Sequence, residues 1–324
     1  MRVAMLAIDG AFDSGLATVA DVLETANVLR DEIERPPPPW EVTVVGTRRQ
    51  VRTAAGMRVT TTSVEELDAP PQLLVAPALG VRQSAAVVET VGAARNRPLL
   101  DLLARCRSEG IELAGACTGA FFLAESGVLE EQPATTSWWL GPTFRARYPG
   151  VDLDTGQTLV RGEGVSTAGA AFAHIDLALS LVHTQSPALA DLIARYLLIG
   201  DRASQASFAV PTMLARNSPE MATFERWVRS HLDGPIRISA AAAAIGLSER
   251  TLQRVTAATV GMSPVEFVNE VRLDEAAFLL RSSTLTADAV AARVGFQNAG
   301  TLRALVRRRR GMTIRELRRG ATRA

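Results

Sequence analysis

The spacing of apolar residues changes character along this chain. Over roughly the first 185 residues, short apolar runs alternate with longer amphipathic stretches. Residues 2–8 and 41–46 read as strands, with a helix over about 16–30 between them. QLLVA (72–76) and IELAGA (111–116) are apolar runs bounded by turn residues, the pattern of buried parallel strands, and 96–109 is helical between them. The four prolines at 36–39 force an extended connection. Residues 158–161 and 164–166 suit a late hairpin around Gly162, and a long helix follows over 170–183. Alternating β and α elements predict a three-layer α/β sandwich.

Beyond Pro219 the strand pattern disappears. Helical periodicity covers 220–232, 239–245, 249–260, 264–281, 287–294, 299–310 and 313–319. Within this region one motif occurs twice, as ISAAAAAIGLSERTLQRVTAATVGMSPVEF from Ile238 and LTADAVAARVGFQNAGTLRALVRRRRGMTIREL from Leu285. Gly246 aligns with Gly295, Leu252 with Leu302, Gly261 with Gly311 and Phe267 with Leu317; the offset is 49 residues at the first pair and 50 afterwards. Each copy predicts a short helix, a turn and a longer helix, with Ser248 and Asn298 as N-caps of the longer helices. The expected organisation is an α/β domain over 1–190, a connection over 191–219, and an all-α domain with two helix-turn-helix units over 220–324; ALADLIARYLLIGD (188–201), across the start of that connection, reads as a helix, and the stretch after it is mixed.

Charge sharpens this division. Residues 221–324 carry 17 arginines and 9 acids, a surplus of eight positive charges, whereas residues 1–220 carry 18 arginines and 25 acids. The near-neutral total therefore hides a basic C-terminal module, a distribution that points to nucleic acid. No apolar run approaches the ~20 residues needed to span a bilayer, and two cysteines imply no disulfide framework, so a cytoplasmic location is expected.

In the first longer repeat helix, Leu252 and Val255 are expected to face inward, leaving Glu249, Arg250, Gln253 and Arg254 for DNA. In the second, Leu302, Leu305 and Val306 face inward, leaving Asn298, Thr301, Arg303 and Arg307 outside. Arginine matches guanine O6/N7 and glutamine or asparagine matches adenine N6/N7 in the major groove. The run 307–310 circles its helix and is expected to grip mainly phosphates. Residues from about 224 to 319 resemble the DNA-binding domain of AraC/XylS-type regulators through SERTLQR (248–254), GMSPVEFVNEVRLDEAAFLL (261–280), VAARVGFQNAGTLR (290–303) and GMTIRELR (311–318). The resemblance implies two helix-turn-helix units joined by one helix and entering consecutive major grooves of double-stranded promoter or operator DNA. Leu302 and Leu305-Val306 stand where the family usually has aromatic residues.

In the N-terminal part, GIELAGACTGAFFLAESGVL (110–129) has a buried strand, a small-residue turn through Cys117 and a following helix, the shape of a nucleophile elbow. LAGACTGAFFLAESGVLEEQPATTSWW (113–139) resembles the DJ-1/PfpI, class I glutamine amidotransferase-like domain, which precedes an AraC-type domain in the GlxA group of regulators. That resemblance covers residues 1–185 and implies a flavodoxin-like sandwich, often dimeric. Thr118 and Ser137 stand at positions where related proteins carry histidine, and Gly15 stands where a carboxylate often meets the cysteine, with Asp13 nearby as a substitute. The three histidines, 174, 183 and 231, form no Cys–His–acid set with recognisable spacing, and no metal-ligand spacing or cofactor motif is present.

The elbow therefore reads as a ligand pocket: backbone N–H groups of Cys117 and Thr118, with Gly80 adding a third donor, hold a polar group of a small-molecule effector, and Ser137 and Trp138 complete the wall. For Trp138 and Trp139 the alternative is packing in the core or at a dimer interface. The leading expectation is a ligand-responsive, non-enzymatic transcription regulator that is homodimeric through its N-terminal domain. The alternatives are a thiol-dependent amidase, peptidase or glyoxalase fused to a DNA-binding domain, and an N-terminal domain that only dimerises.

Overall fold

The computed structural model describes residues 1–81, 83–200, 211, 215, 218–310 and 312–319. The chain divides into two compact units, Met1–Ala206 and Ser207–Ala324. Much of the mixed stretch read as the interdomain connection (201–210, 212–214 and 216–217), together with Gly311 of the repeat alignment, lies outside the described residues.

The first unit contains, in chain order, β1 (Arg2–Leu6), α1 (Asp13–Leu29), β2 (Glu41–Val45), β3 (Gln50–Arg52), β4 (Arg58–Thr60), β5 (Leu73–Ala76), α2 (Ser84–Val91), α3 (Arg97–Ser108), β6 (Glu112–Ala116) and α4 (Gly119–Glu125). It continues with β7 (Pro133–Ala134), α5 (Gly141–Arg147), β8 (Asp152–Leu153), β9 (Leu159–Gly162), β10 (Val165–Ala168), α6 (Ala173–Gln185) and α7 (Pro187–Tyr196). The main sheet has the order β2-β1-β5-β6-β10-β9; all neighbours are parallel except the terminal hairpin β9/β10.

Alternation along the strands supplies two core faces. Ala4, Leu6, Leu74 and Ala76 pack with Leu99, Leu103, Phe121, Phe122 and Phe144 on one side. Val3, Met5, Leu73 and Val75 pack with Val19, Leu23, Leu177, Leu189 and Ile193 on the other. The result is the three-layer α/β sandwich expected from the alternating pattern, with a mixed sheet. The hairpin β3/β4, the short pair β7/β8 and helices α2 and α5 were not legible in the pattern.

The second unit contains α8 (Pro219–Arg229), α9 (Ile238–Ala244), α10 (Glu249–Val260), α11 (Pro264–Ser282), α12 (Ala287–Arg293), α13 (Ala299–Arg310) and α14 (Ile314–Arg319). These are the helices predicted from periodicity, with 249–260 and 299–310 matched at both ends and the other ends within three residues. Leu273, Ala276 and Leu280 of α11 pack with Val290, Val294, Phe296, Leu302, Leu305 and Val306 in one apolar cluster.

Candidate functional site

The sequence repeat corresponds to repeated backbone hydrogen bonding. At the end of α9, Gly246 N–H donates to Ala243 O (3.1 Å) and Leu247 N–H to Ala242 O (2.9 Å). At the end of α12, Gly295 N–H donates to Ala292 O (3.1 Å) and Phe296 N–H to Ala291 O (2.8 Å). Both turns are thus Schellman caps with glycine at φ +75°. Ser248 Oγ then accepts from Thr251 N–H at 3.1 Å, and Asn298 Oδ1 accepts from Thr301 N–H at 2.9 Å. The same correspondence extends past the longer helices: Ser263 and Glu266 form a capping box at the start of α11, and Thr313 and Glu316 form its counterpart at α14.

This framework exposes most of the polar residues proposed for DNA. Glu249, Arg250, Gln253 and Arg254 are exposed on α10, and Asn298, Thr301, Arg303 and Arg307 are exposed at the start of and along α13. Asn298 Oδ1 is occupied by the Thr301 amide and hydroxyl, so the NH₂ group is the part of Asn298 left to offer a base. The buried side of α10 is formed by Leu252, Thr256 and Val260; Val255, expected inside, is only half-buried. Thr256 is accommodated because its hydroxyl donates to Leu252 O at 2.7 Å.

The arginine run is corrected more substantially. Arg307 and Arg308 are exposed, but Arg309 and Arg310 turn onto α11. Arg309 pairs with Glu266 (2.8 Å) and Glu270 (3.3 Å), and Arg310 pairs with Glu270 (2.8 Å) and Asp274 (3.0 Å). The sequence carried the necessary pattern: acids at 266, 270 and 274 lie four residues apart and form one stripe on a helix.

In the first unit, β6 leads into Cys117, whose φ is +57°, and then Thr118 and α4. The thiol is enclosed. Ser137 Oγ donates to Cys117 Sγ at 3.0 Å, while Thr136 Oγ1 donates to Cys117 O at 2.7 Å. Burial pushes the Cys117 thiol up from its ordinary value, against the opposing effect of hydrogen bonds from Ser137 and from the Thr118 amide and hydroxyl. Cys117, Thr118 and Ser137 are therefore together as expected, all buried.

The expected donor cradle is not formed. Cys117 N–H donates to Gly169 O (2.8 Å) and Ala168 O (3.0 Å), and Gly80 N–H donates to Gly10 O (3.0 Å). The chain's own carbonyls have taken these donors, so Gly80 and Cys117 are corrected as backbone anchors for an effector. Trp138 and Trp139 are half-buried and meet edge to face, with centroids 5.4 Å apart; Trp139 packs against the core.

Asp13 Oδ2 accepts from Ala55 N–H at 2.9 Å. Near Gly15 stands His174, which is buried; its Nδ1 lies 2.5 Å from Ala171 O, and burial holds its pKa below the usual imidazole value. His183 is exposed, and His231 stacks on Trp227. Among the described residues, no group of three His, Cys, Asp or Glu is arranged to hold a metal ion, and no helix is long and apolar enough to cross a membrane.

Residues 241–320 match the family described as a helix-turn-helix domain. The chain carries an α/β fold like that of a solved THiJ/PfpI family protein, followed by a helix-turn-helix domain. It is 26% identical over 204 residues to the HTH-type transcriptional regulator CdhR of Pseudomonas aeruginosa, covering 62% of this chain and 60% of that protein. It is 24% identical over 200 residues to the HTH-type transcriptional regulator GlxA of Rhizobium meliloti, covering 60% and 61%. The matches thus span about three fifths of these relatives' length. A THiJ/PfpI family protein from Pseudomonas syringae shares the fold, with TM-score 0.51 and 17% identity over 76% of this chain and 90% of that one.

Proposed function

We propose that the chain is a sequence-specific DNA-binding transcription regulator whose DJ-1/PfpI-like unit receives a small-molecule signal or dimerises, without turnover of its own. The observation that carries this reading is the duplicated helix-turn-helix framework, which presents Arg250, Gln253 and Arg254 on one exposed helix and Thr301, Arg303 and Arg307 on another. Arginine and glutamine are the side chains that make bidentate contacts to guanine and adenine. The surplus of eight positive charges over 221–324 supplies attraction to phosphate. The named relatives, both transcriptional regulators, support the same reading.

The absence of turnover is argued from Cys117. A thiol nucleophile reacts as thiolate and needs a base beside it. Here burial opposes ionisation, and the hydroxyl of Ser137 faces the sulfur. An effector that acts through this unit must bind two arrangements of the protein unequally. The donors already committed at the elbow argue that it is not held there by the Cys117 or Gly80 amide. The proposal includes a homodimer formed through residues 1–190.

Selection of duplexes from a random library by the full chain tests the reading. A selected duplex should bind roughly a thousandfold or more tighter than a scrambled one at physiological salt. Equal affinity for both would overturn it. Turnover of amide or glyoxal substrates that disappears in Cys117→Ala would establish the enzymatic alternative, for which the left-handed Cys117 is the favouring feature.

A further inference from the structure

The two repeats differ where their longer helices end. The residue before the glycine is Val260 in the first copy and Arg310 in the second, and the residue before that is Thr259 or Arg309. Val260 is buried, as suits an apolar helix end. Arg309 and Arg310 instead reach α11 and converge on one carboxylate. Glu270 has a side chain only 3% exposed and meets Arg309 Nε at 3.3 Å and Arg310 Nη1 at 2.8 Å. Glu266 and Asp274 take the outer sides of the same two guanidinium groups, at 2.8 and 3.0 Å.

A buried carboxylate is tolerated only when paired, and removing its partners leaves a charge that water cannot reach. The arrangement therefore constrains both sides. Glu270 needs the two arginines, and the arginines are held on the α11 side of α13. Arg307 and Arg308, one turn earlier or less, remain exposed.

Resting on the DNA-binding reading above, we propose that Glu270 is a positioning residue for sequence recognition: it fixes the orientation of α13 against α11 and withholds Arg309 and Arg310 from DNA phosphates. The run of four arginines is thereby divided into two that attract DNA and two that hold the reading helix. The benefit is discrimination. Each additional phosphate contact strengthens binding to every sequence alike, whereas a fixed helix preserves the alignment of Thr301 and Arg303 with bases.

The test uses the full chain, a duplex selected by the wild type and a scrambled duplex, each titrated over a range of salt. In Glu270→Gln, a neutral side chain of the same shape removes the carboxylate that the two guanidinium groups share and leaves each with a single, more exposed acid, Glu266 or Asp274, from which it can turn to DNA. Affinity for scrambled DNA should rise by roughly tenfold, and the slope of log K against log salt should steepen by up to about 1.8, two further phosphates at about 0.9 each. The ratio of selected to scrambled affinity should fall by roughly tenfold. A merely structural role would weaken both duplexes without steepening the slope, and that result would overturn the proposal.

Arg309→Gln provides a second test in a variant whose Glu270 keeps its pair with Arg310. Its salt slope should equal that of the wild type, while Arg308→Gln should lower the slope by about 0.9. An equal drop in both would make Arg309 a DNA contact and overturn the proposal. Wild-type protein that does not distinguish the two duplexes would instead defeat the DNA-binding reading itself.

Discussion

A β-carbon at position 15 would lie 2.8 Å from Nε2 of His174, so the start of α1 is fitted directly against a buried imidazole on α6. Position 15 is therefore closed to a larger side chain while His174 is in place.

Gly15→Ala should thus destabilise the chain by roughly 1–3 kcal/mol, the range for overpacking a filled site, despite the helical preference for Ala over Gly. His174→Ala should relieve the clash, so the cost of Gly15→Ala should shrink markedly in that background. Denaturant unfolding of the two single variants and the double variant measures the coupling, expected at about 0.5–3 kcal/mol. Equal costs in both backgrounds would show that the His174 contact does not govern the site.

Cys117 should behave as an enclosed neutral thiol. Its pKa is raised on folding, so its contribution to stability is present below the ordinary thiol value of 9.0 and is lost as pH rises through the folded value. The wild-type melting temperature should therefore fall more between pH 8.5 and about 10.5 than that of Cys117→Ala. An aromatic disulfide reagent should label Cys117 far more slowly in the folded chain than in denaturant; similar rates would show an accessible thiolate.

Much of this molecule was visible in the sequence because local chemistry determined it. Gly246 and Gly295 end helices through bonds to residues three positions earlier, with Leu247 and Phe296 reaching five positions back, and Ser248 and Asn298 cap helices three residues ahead. The strands of the main sheet were legible because their apolar runs supply both core faces. Contacts distant in sequence were less accessible. Arg309 meets Glu266 across 43 positions, and Leu79 N–H meets Thr118 Oγ1 across 39. The hairpin β3/β4 has strands of three residues, too short for alternation to identify. The elbow's shape was predictable from small residues around Cys117, but whether its amides were free depended on carbonyls of Ala168, Gly169 and Gly10 supplied by other segments.

Arg250→Ala and Arg303→Ala should each remove roughly 1–3 kcal/mol of discrimination if they make bidentate base contacts. Their losses should appear for the selected duplex and hardly at all for scrambled DNA. Arg307→Ala should weaken both similarly and reduce the salt slope by about 0.9, as a phosphate contact does. Fluorescence anisotropy with both duplexes separates the two roles; a uniform loss for Arg250→Ala would remove it from base reading.

The two turn glycines should respond unequally to alanine. Both have φ +75°, so each variant incurs the left-handed backbone penalty of about 1–2 kcal/mol. A β-carbon at 246 meets nothing within 4 Å, whereas one at 295 would lie 2.2 Å from Leu232 O and 2.6 Å from Arg272 Nη2. The Leu232 contact is backbone, which cannot be relieved by rotating a side chain. Gly295→Ala should therefore lower the unfolding midpoint of the helical unit well beyond Gly246→Ala, and equal effects would argue against that close approach.

Glu266 links the first repeat to the second and should give the helical unit an acid limit. The Ser263 amide and hydroxyl, followed by the Arg309 guanidinium, hold its carboxyl below the ordinary value of 4.5. A depressed folded pKa means that the stabilisation is present above the unfolded value and is lost as pH falls through the folded one. Thermal melts from pH 6 to about 3 should show the wild type losing stability below pH ~4.5, with Glu266→Gln less stable than the wild type at pH 6 and the difference narrowing as acid protonates the native carboxyl. Because Glu266 is substantially exposed, the gap at pH 6 should be modest and should shrink in salt. A pH-independent gap would indicate that the loss comes from helix capping by either protonation state, with the charged pairing to Arg309 contributing nothing measurable.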